Sequence, residues 1–176
     1  MKKIVLGLVA VVAILGNIES AQAQQKIGHV DIQYVLTALP EYKEVESQLK
    51  TLEAQLLKQS QAKEAEFQAK VAEYQQGAAN MAEVVRQDKE RELQALQVSF
   101  QEFQQNAQAS LQTKTTDLLN PLYTRIGAAI DEVAVENGYS HILNVGVAQL
   151  DIVIYGKEDF NVSKLVLTKL GVTPPN

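Results

Sequence analysis

Between Val45 and Leu111 the apolar residues of this chain recur in alternating steps of four and three, and the pattern is broken once by glycine. The outward run is Val45, Leu49, Leu52 and Leu56, then, eleven positions on, Phe67, Val71, Tyr74, Ala78, Met81 and Val85. The return run is Leu93, Leu96, Phe100, Phe103, Ala107 and Leu111. Such spacing is the seam of a coiled coil, locally relaxed at the eleven-residue step. The break reads Gly77-Ala78-Ala79-Asn80. A glycine there suits a left-handed helix cap, and Asn80-Met81-Ala82-Glu83 matches a capping box that starts a second helix. If the chain folds back at this point, Tyr74 meets Val85, Phe67 meets Leu93, Leu56 meets Phe103, Leu52 meets Ala107 and Leu49 meets Leu111. The common register of these five pairs predicts an antiparallel helical hairpin over 41–117 with its tip at 77–80. A single continuous helix in a parallel coiled coil explains the spacing but neither the register nor the cap residues.

The two ends have a different character. Lys2 and Lys3 precede an apolar run of 13 residues, Ile4 to Gly16, and Ala21-Gln22-Ala23 has the small-x-small form of a cleavage site. Residues 1–23 therefore read as a secretory signal peptide. The run is shorter than the roughly 17–25 residues that span a bilayer, so a stable membrane insertion is not expected. The mature chain from Gln24 carries 14 Lys and Arg against 20 Asp and Glu, a net of −6. That balance does not suit a nucleic-acid partner. With no cysteine in an exported chain, stability has to come from packing or assembly.

Residues 24–40 and 118–176 are expected to form one discontinuous β-rich body. Lys26 to Asp31 reads as a strand, and Ile32, Val35, Leu36 and Leu39 mark a short amphipathic helix. Pro40 suits the first turn of the next helix. The returning helix passes Asn120-Pro121, where a kink is expected, and ends at Asn137-Gly138. Tyr139–Val145 and Gln149–Tyr155 read as two more strands around Gly146. Val162–Leu170 reads as a last helix capped by Asn161. A disulfide-free body of this size is marginal alone, so association is expected, through Ile27, Val30, Ile142, Val145, Ile152 and Ile154.

The sequence carries no phosphate loop, because Gly156-Lys157 lacks the required earlier glycine. Its two histidines, His29 and His141, are read as strand residues near the sheet rather than half of a metal site. No catalytic, metal or cofactor residues are assigned. Between positions 41 and 119 there are 15 Gln, a helix former that exchanges hydrogen bonds without charge. Glu46–Lys50 and Glu66–Lys70 have the spacing of surface ion pairs. Off the seam, Leu57, Val84 and Val98 are the apolar candidates for contact with a client.

Three segments resemble the Skp/OmpH family of periplasmic chaperones. They are Lys26-Ile27-Gly28-His29-Val30-Asp31 with Leu39-Pro40-Glu41-Tyr42-Lys43; Asn120-Pro121-Leu122 with Glu136-Asn137-Gly138-Tyr139; and Asp159-Phe160-Asn161 ahead of Val166 and Leu170. The likeness covers essentially the whole mature chain. It implies an α+β fold in which a small β-sheet body carries a long coiled-coil hairpin arm. It further implies a homotrimer that shelters unfolded outer-membrane β-barrel proteins between its arms, in the periplasm and without ATP. One departure stands out. The best-known members have basic arms, whereas residues 63–92 hold five Lys or Arg against seven Asp or Glu, so contact with lipid or lipopolysaccharide is not carried over. The competing expectation is a structural coiled-coil spacer or adaptor with one fixed partner, which calls for a continuous apolar stripe on the arm. Pro121, at the junction of arm and body, is the candidate hinge.

Overall fold

The protein, in a computed structural model, is described over residues 25–147 and 150–174. The expected signal peptide, 1–23, lies outside the described residues. Strand β1 (Ile27–Val30) leads into helix α1 (Ile32–Ala38). Helix α2 (Pro40–Gly77) runs out, a 3-10 turn spans Ala78–Asn80, and helix α3 (Glu83–Asn137) returns. Short strands β2 (His141–Asn144), β3 (Gly146–Val147) and β4 (Leu150–Asp151) follow, then a 3-10 turn at Glu158–Phe160 and helix α4 (Ser163–Lys169).

Local chemistry sets these boundaries. Asp31 Oδ1 accepts the Tyr34 amide at 2.9 Å and starts α1. Pro40 occupies the first turn of α2, where its missing N–H costs nothing. Gly138 ends α3 in the left-handed region at φ 67°. Tyr139 N–H donates to Ala134 O at 2.9 Å and Gly138 N–H to Val135 O at 3.4 Å, the paired bonds of a Schellman cap.

The core lies at the base of the hairpin and is built mainly by helices. Val30 of β1, Val35, Leu36 and Leu39 around α1, Val45 of α2, Leu122, Ile126, Ala129 and Val133 of α3, and Val162, Val166 and Leu167 around α4 are all buried together. Strand β1 is the middle rail. It pairs in parallel with β2, Ile27 beside His141 and Val30 beside Asn144. On its other edge His29 O accepts the Val162 amide at 2.9 Å. Parallel neighbours need a long crossover, and here that crossover is the entire arm. Ser163, buried at 2% exposure, is satisfied because its Oγ accepts the Asp31 amide at 2.9 Å.

Four expectations are corrected. The body is helix-rich, not β-rich: among the described residues it has two sheets of two strands each. The strand expected over 149–155 is confined to Leu150–Asp151, and Gln149 is outside the described residues. The Ile152 and Val153 amides both converge on Val145 O, at 2.8 and 3.1 Å. Two donors on one carbonyl turn the chain off the ladder, so Ile152 and Ile154 do not pack a sheet. Asn161 does not cap α4 itself. Its Oδ1 accepts the Ser163 amide at 3.1 Å one residue ahead of the cap position, Val162.

The fourth correction is at the tip. Gly77 is right-handed, at φ −97° and ψ −20°, and Asn80 is no helix cap, since α3 begins at Glu83 behind Ala82. Alanine therefore fits at Gly77: an added Cβ would meet only the mobile end of Met81, Cε, at 2.6 Å. Gly77→Ala is expected to stabilise the hairpin by about 0.5–1 kcal/mol, and Gly138→Ala to destabilise the chain by about 1–2 kcal/mol. Thermal unfolding followed by circular dichroism reads both. Equal signs would contradict this account of the two glycines.

Candidate functional site

No described helix is long and apolar enough to cross a membrane, and among the described residues no three acidic or histidine side chains converge to hold a metal. His29 and His141 sit on the two paired strands, and the His29 ring lies against Gly156. The features that distinguish the surface are the arm and the outer face of the body.

Helix α2 has 38 residues, so the arm reaches roughly 57 Å at 1.5 Å per residue. Two helices alone can bury only one stripe of each. Leu49, Leu52, Leu56, Phe67, Val71 and Tyr74 on α2, and Leu93, Leu96, Phe100, Phe103 and Leu111 on α3, are accordingly half-buried, whereas Val45 at the base is buried. The eleven-residue step is not a gap. Ser60 and Lys63, at steps of four and three from Leu56, are half-buried in the seam, and Lys63 Nζ lies 5.7 Å from the Phe103 ring centre. Reading only apolar letters hid these two residues, though their spacing marks them. Beside them a groove of about 330 Å³ opens among Leu56, Leu57, Phe103, Ala107 and Leu111.

Toward the tip the register differs from the expected one. Val85 is 47% exposed rather than facing Tyr74. The Tyr74 hydroxyl instead donates to Glu90 at 2.6 Å, and this bond holds the phenol proton and raises its pKa. The physical reason is the longer turn. Met81 and Ala82 are outside helix, so a later residue of α3 arrives opposite each residue of α2. Arg86 and Lys89 take the half-buried places, laying their apolar stems along the seam. Lys70 and Glu92 pair at 3.0 Å, and Glu73 and Lys89 at 3.1 Å. Lys70 thus reaches across the hairpin to α3, and the expected partner Glu66 is not used.

The remaining sequence candidates fall as follows. Ala78, Ala79 and Asn80 form the 3-10 turn at the tip. Leu57 (58% exposed) lines the groove with Leu56 and Phe103, while Val84 (68%) and Val98 (47%) are outward. Pro121 sits inside an unbroken α3, exposed on its surface. One turn on, Arg125 pairs with Glu41 at 2.6 Å, tying the two arm helices at their base. The hydrogen bond from that guanidinium holds the Glu41 carboxyl below its usual range.

On the body, Val30 belongs to the core of the chain itself, and Ile142 and Val145 are half-buried. Ile27, Leu143, Ile152, Ile154 and Tyr155 are exposed, with Ile154 at 94%. Leu143 and Tyr155 were not among the sequence candidates. The signal for Leu143 was available, because it alternates with Ile142 and must face the opposite side of a strand. Lys169 bonds Glu136 at 2.6 Å and Glu132 at 3.1 Å, which holds α4 on α3 and raises the lysine pKa.

These features define a class: a small body of helices and short strands carrying one long helical-hairpin arm, with several apolar side chains left exposed on the body. The chain belongs to the OmpH-like outer membrane protein family, whose model matches residues 26–170. A solved structure from Caulobacter crescentus, described as a candidate outer membrane chaperone (OmpH-like), is similar in fold at a TM-score of 0.69 and 14% identity. The match covers 86% of this chain and 88% of that one. No curated protein matches the sequence.

Proposed function

We propose that the protein is a periplasmic holdase chaperone that keeps unfolded outer-membrane β-barrel proteins from aggregating, without ATP, inside a space enclosed by the arms of a homotrimer. The observation that carries this reading is the combination of a roughly 57 Å arm with apolar side chains left uncovered on the body, Ile154 above all. The open body face supplies a surface for self-association, and the arms then flank a common cavity. Their outer residues are mostly Gln, Ala, Lys and Glu, with Leu57 in a short apolar groove and Val84 and Val98 as separate apolar contacts. Scattered weak contacts suit many unfolded clients, whereas a single fixed partner calls for a contiguous patch. Membership in the OmpH-like family and the fold shared with a protein described as a chaperone support the same reading. The test is to dilute a urea-unfolded outer-membrane protein into the mature protein and follow light scattering. Suppression at about one trimer per client is expected; unchanged scattering would overturn the proposal.

Pro121 gives this reading a mechanical element. It removes the helical bond to Asp117 O, yet Leu118 and Leu119 before it and Leu122 after it stay packed at the base. The junction is thereby anchored on both sides and softened between. Pro121→Ala is expected to raise stability by up to about 3 kcal/mol and to narrow the spread of arm separations in small-angle scattering. Coincident distributions for the two proteins would make Pro121 a residue of shape alone.

A further inference from the structure

Across the distal arm, four charged side chains close a ring. Lys70 pairs with Glu92 at 3.0 Å, Glu92 with Lys89 at 3.5 Å, Lys89 with Glu73 at 3.1 Å, and Glu73 with Lys70 at 3.9 Å. Signs alternate around the ring, two members come from each helix, and each side is an ion pair. The Tyr74–Glu90 hydrogen bond stands beside it, and Arg86 pairs with Glu83 nearer the tip. The Asp88–Arg91 pair lies within α3 and does not cross the arm.

What the ring replaces is apolar packing. From Glu83 to Glu92, α3 has no half-buried apolar residue; its half-buried side chains are Arg86 and Lys89. Opposite this stretch α2 still presents Val71 and Tyr74 to the seam. From Leu93 to Leu111 the seam is apolar on both helices, with Leu96, Phe100 and Phe103 facing inward. The hairpin therefore has two sections joined end to end, one closed by apolar contact and one by charge.

We propose that the Lys70–Glu73–Lys89–Glu92 ring is an ionic clasp that lets the distal arm part as a unit while the proximal arm and body stay closed. Local opening follows the contacts that hold a segment, and exposed ion pairs are weak and screened by salt. Opening uncovers Val71 and Tyr74, a short apolar strip that is half-buried in the closed arm. The direction of the proton equilibria agrees: the Lys70 hydrogen bond holds the Glu92 carboxyl down, and the Glu73 hydrogen bond holds the Lys89 ammonium up. The clasp is a property of the arm itself. Only its use, offering that strip to an unfolded client, rests on the chaperone reading.

Amide hydrogen exchange on the intact mature protein separates the two. Raising salt from about 0.01 M to about 0.5 M shortens the screening length severalfold. It is expected to speed exchange in residues 68–92 by about threefold to tenfold, with residues 93–111 and the body unchanged. Lys70→Gln with Lys89→Gln is expected to exchange rapidly at both salt levels. Reversing all four members, Lys70→Glu, Glu73→Lys, Lys89→Glu and Glu92→Lys, preserves each attraction and is expected to restore slow, salt-sensitive exchange. Uniform salt response along the arm, or a double glutamine variant as protected as the native protein, would overturn the clasp. Light scattering with unfolded client reads the other claim independently: capture that strengthens in the double variant supports the strip as a client surface, and unchanged capture removes that role and leaves the clasp itself standing on the exchange result.

Discussion

Leu36→Ala is expected to cost the body about 3 kcal/mol. Leu36 is 1% exposed and sits among Val30, Val35, Leu39, Val166 and Leu167. Truncating a fully buried leucine removes its transfer free energy and leaves a cavity, for about 2–5 kcal/mol in total. Little can collapse into the space, because α1 has seven residues and is held by packing from several elements. A helix that short has no stability of its own, so the loss spreads to Asp31 and the β1 rail that α1 follows. The same change at Leu52, half-exposed on the arm, is expected to cost only about 1 kcal/mol. Urea unfolding by circular dichroism measures both, at one fixed protein concentration because assembly couples to stability. Equal losses at the two sites would show that the arm, not the body, carries the cooperative unit.

Ile154→Asp is expected to act on assembly instead. At 94% exposure Ile154 makes almost no contact within its own chain, so aspartate there leaves the protomer core untouched. In the proposed trimer the carboxylate would have to be desolvated against a partner, which is costly without a counter-charge. Sedimentation at micromolar protein is expected to show protomers in place of trimers, with the helical signal retained. Val166→Asp, buried at 0% exposure, is expected to unfold the body outright. The exposed Ile154 and the buried Val166 thus separate assembly from folding as readouts. A trimeric Ile154→Asp variant would remove this residue from the interface. An unfolded one would mean that the protomer core depends on association.

Much of the arm was legible because a two-helix hairpin is written in local spacing. The positions of Leu49, Leu52, Leu56, Phe103 and Leu111 follow from 3.6 residues per turn, and only a fold-back brings both runs into one seam. Boundaries set by short-range chemistry were legible too. Pro40 acts within one turn of its own position, and Gly138 needs nothing beyond its own left-handed backbone; Asp31, read as the end of a strand, proved to cap α1 as well. The Gly77 reading failed for the converse reason. A glycine after a helical run is compatible with a left-handed cap or with a continued right-handed turn, and the close approach of Met81 belongs to the second.

The register near the tip was decided by the turn. Two residues outside helix, Met81 and Ala82, shifted α3 against α2, turned Val85 outward and brought Lys89 and Glu92 beside Glu73 and Lys70. No pair in the sequence signals that ring, since its members are joined only after both helices are docked. The body shows the same division. Hydrophobic alternation identified Ile27–Val30 and His141–Asn144 as strands, but not that they pair in parallel across the whole arm. The run Ile152-Val153-Ile154-Tyr155 has the composition of a strand and lies outside one. Whether a segment with strand propensity becomes a strand depends on a neighbouring backbone with free donors and acceptors. Here the Val145 carbonyl takes both the Ile152 and the Val153 amide and turns the segment outward. The sequence by itself determined the hairpin and the apolar stripe of each helix along the proximal arm, because those depend on neighbours within about one turn. Only the tertiary structure decided which charges meet across the arm and which isoleucines stay uncovered, because those depend on backbone docked from beyond one helical turn, as Lys70 and Glu92 are across the hairpin and Val145 and Ile152 are across a loop.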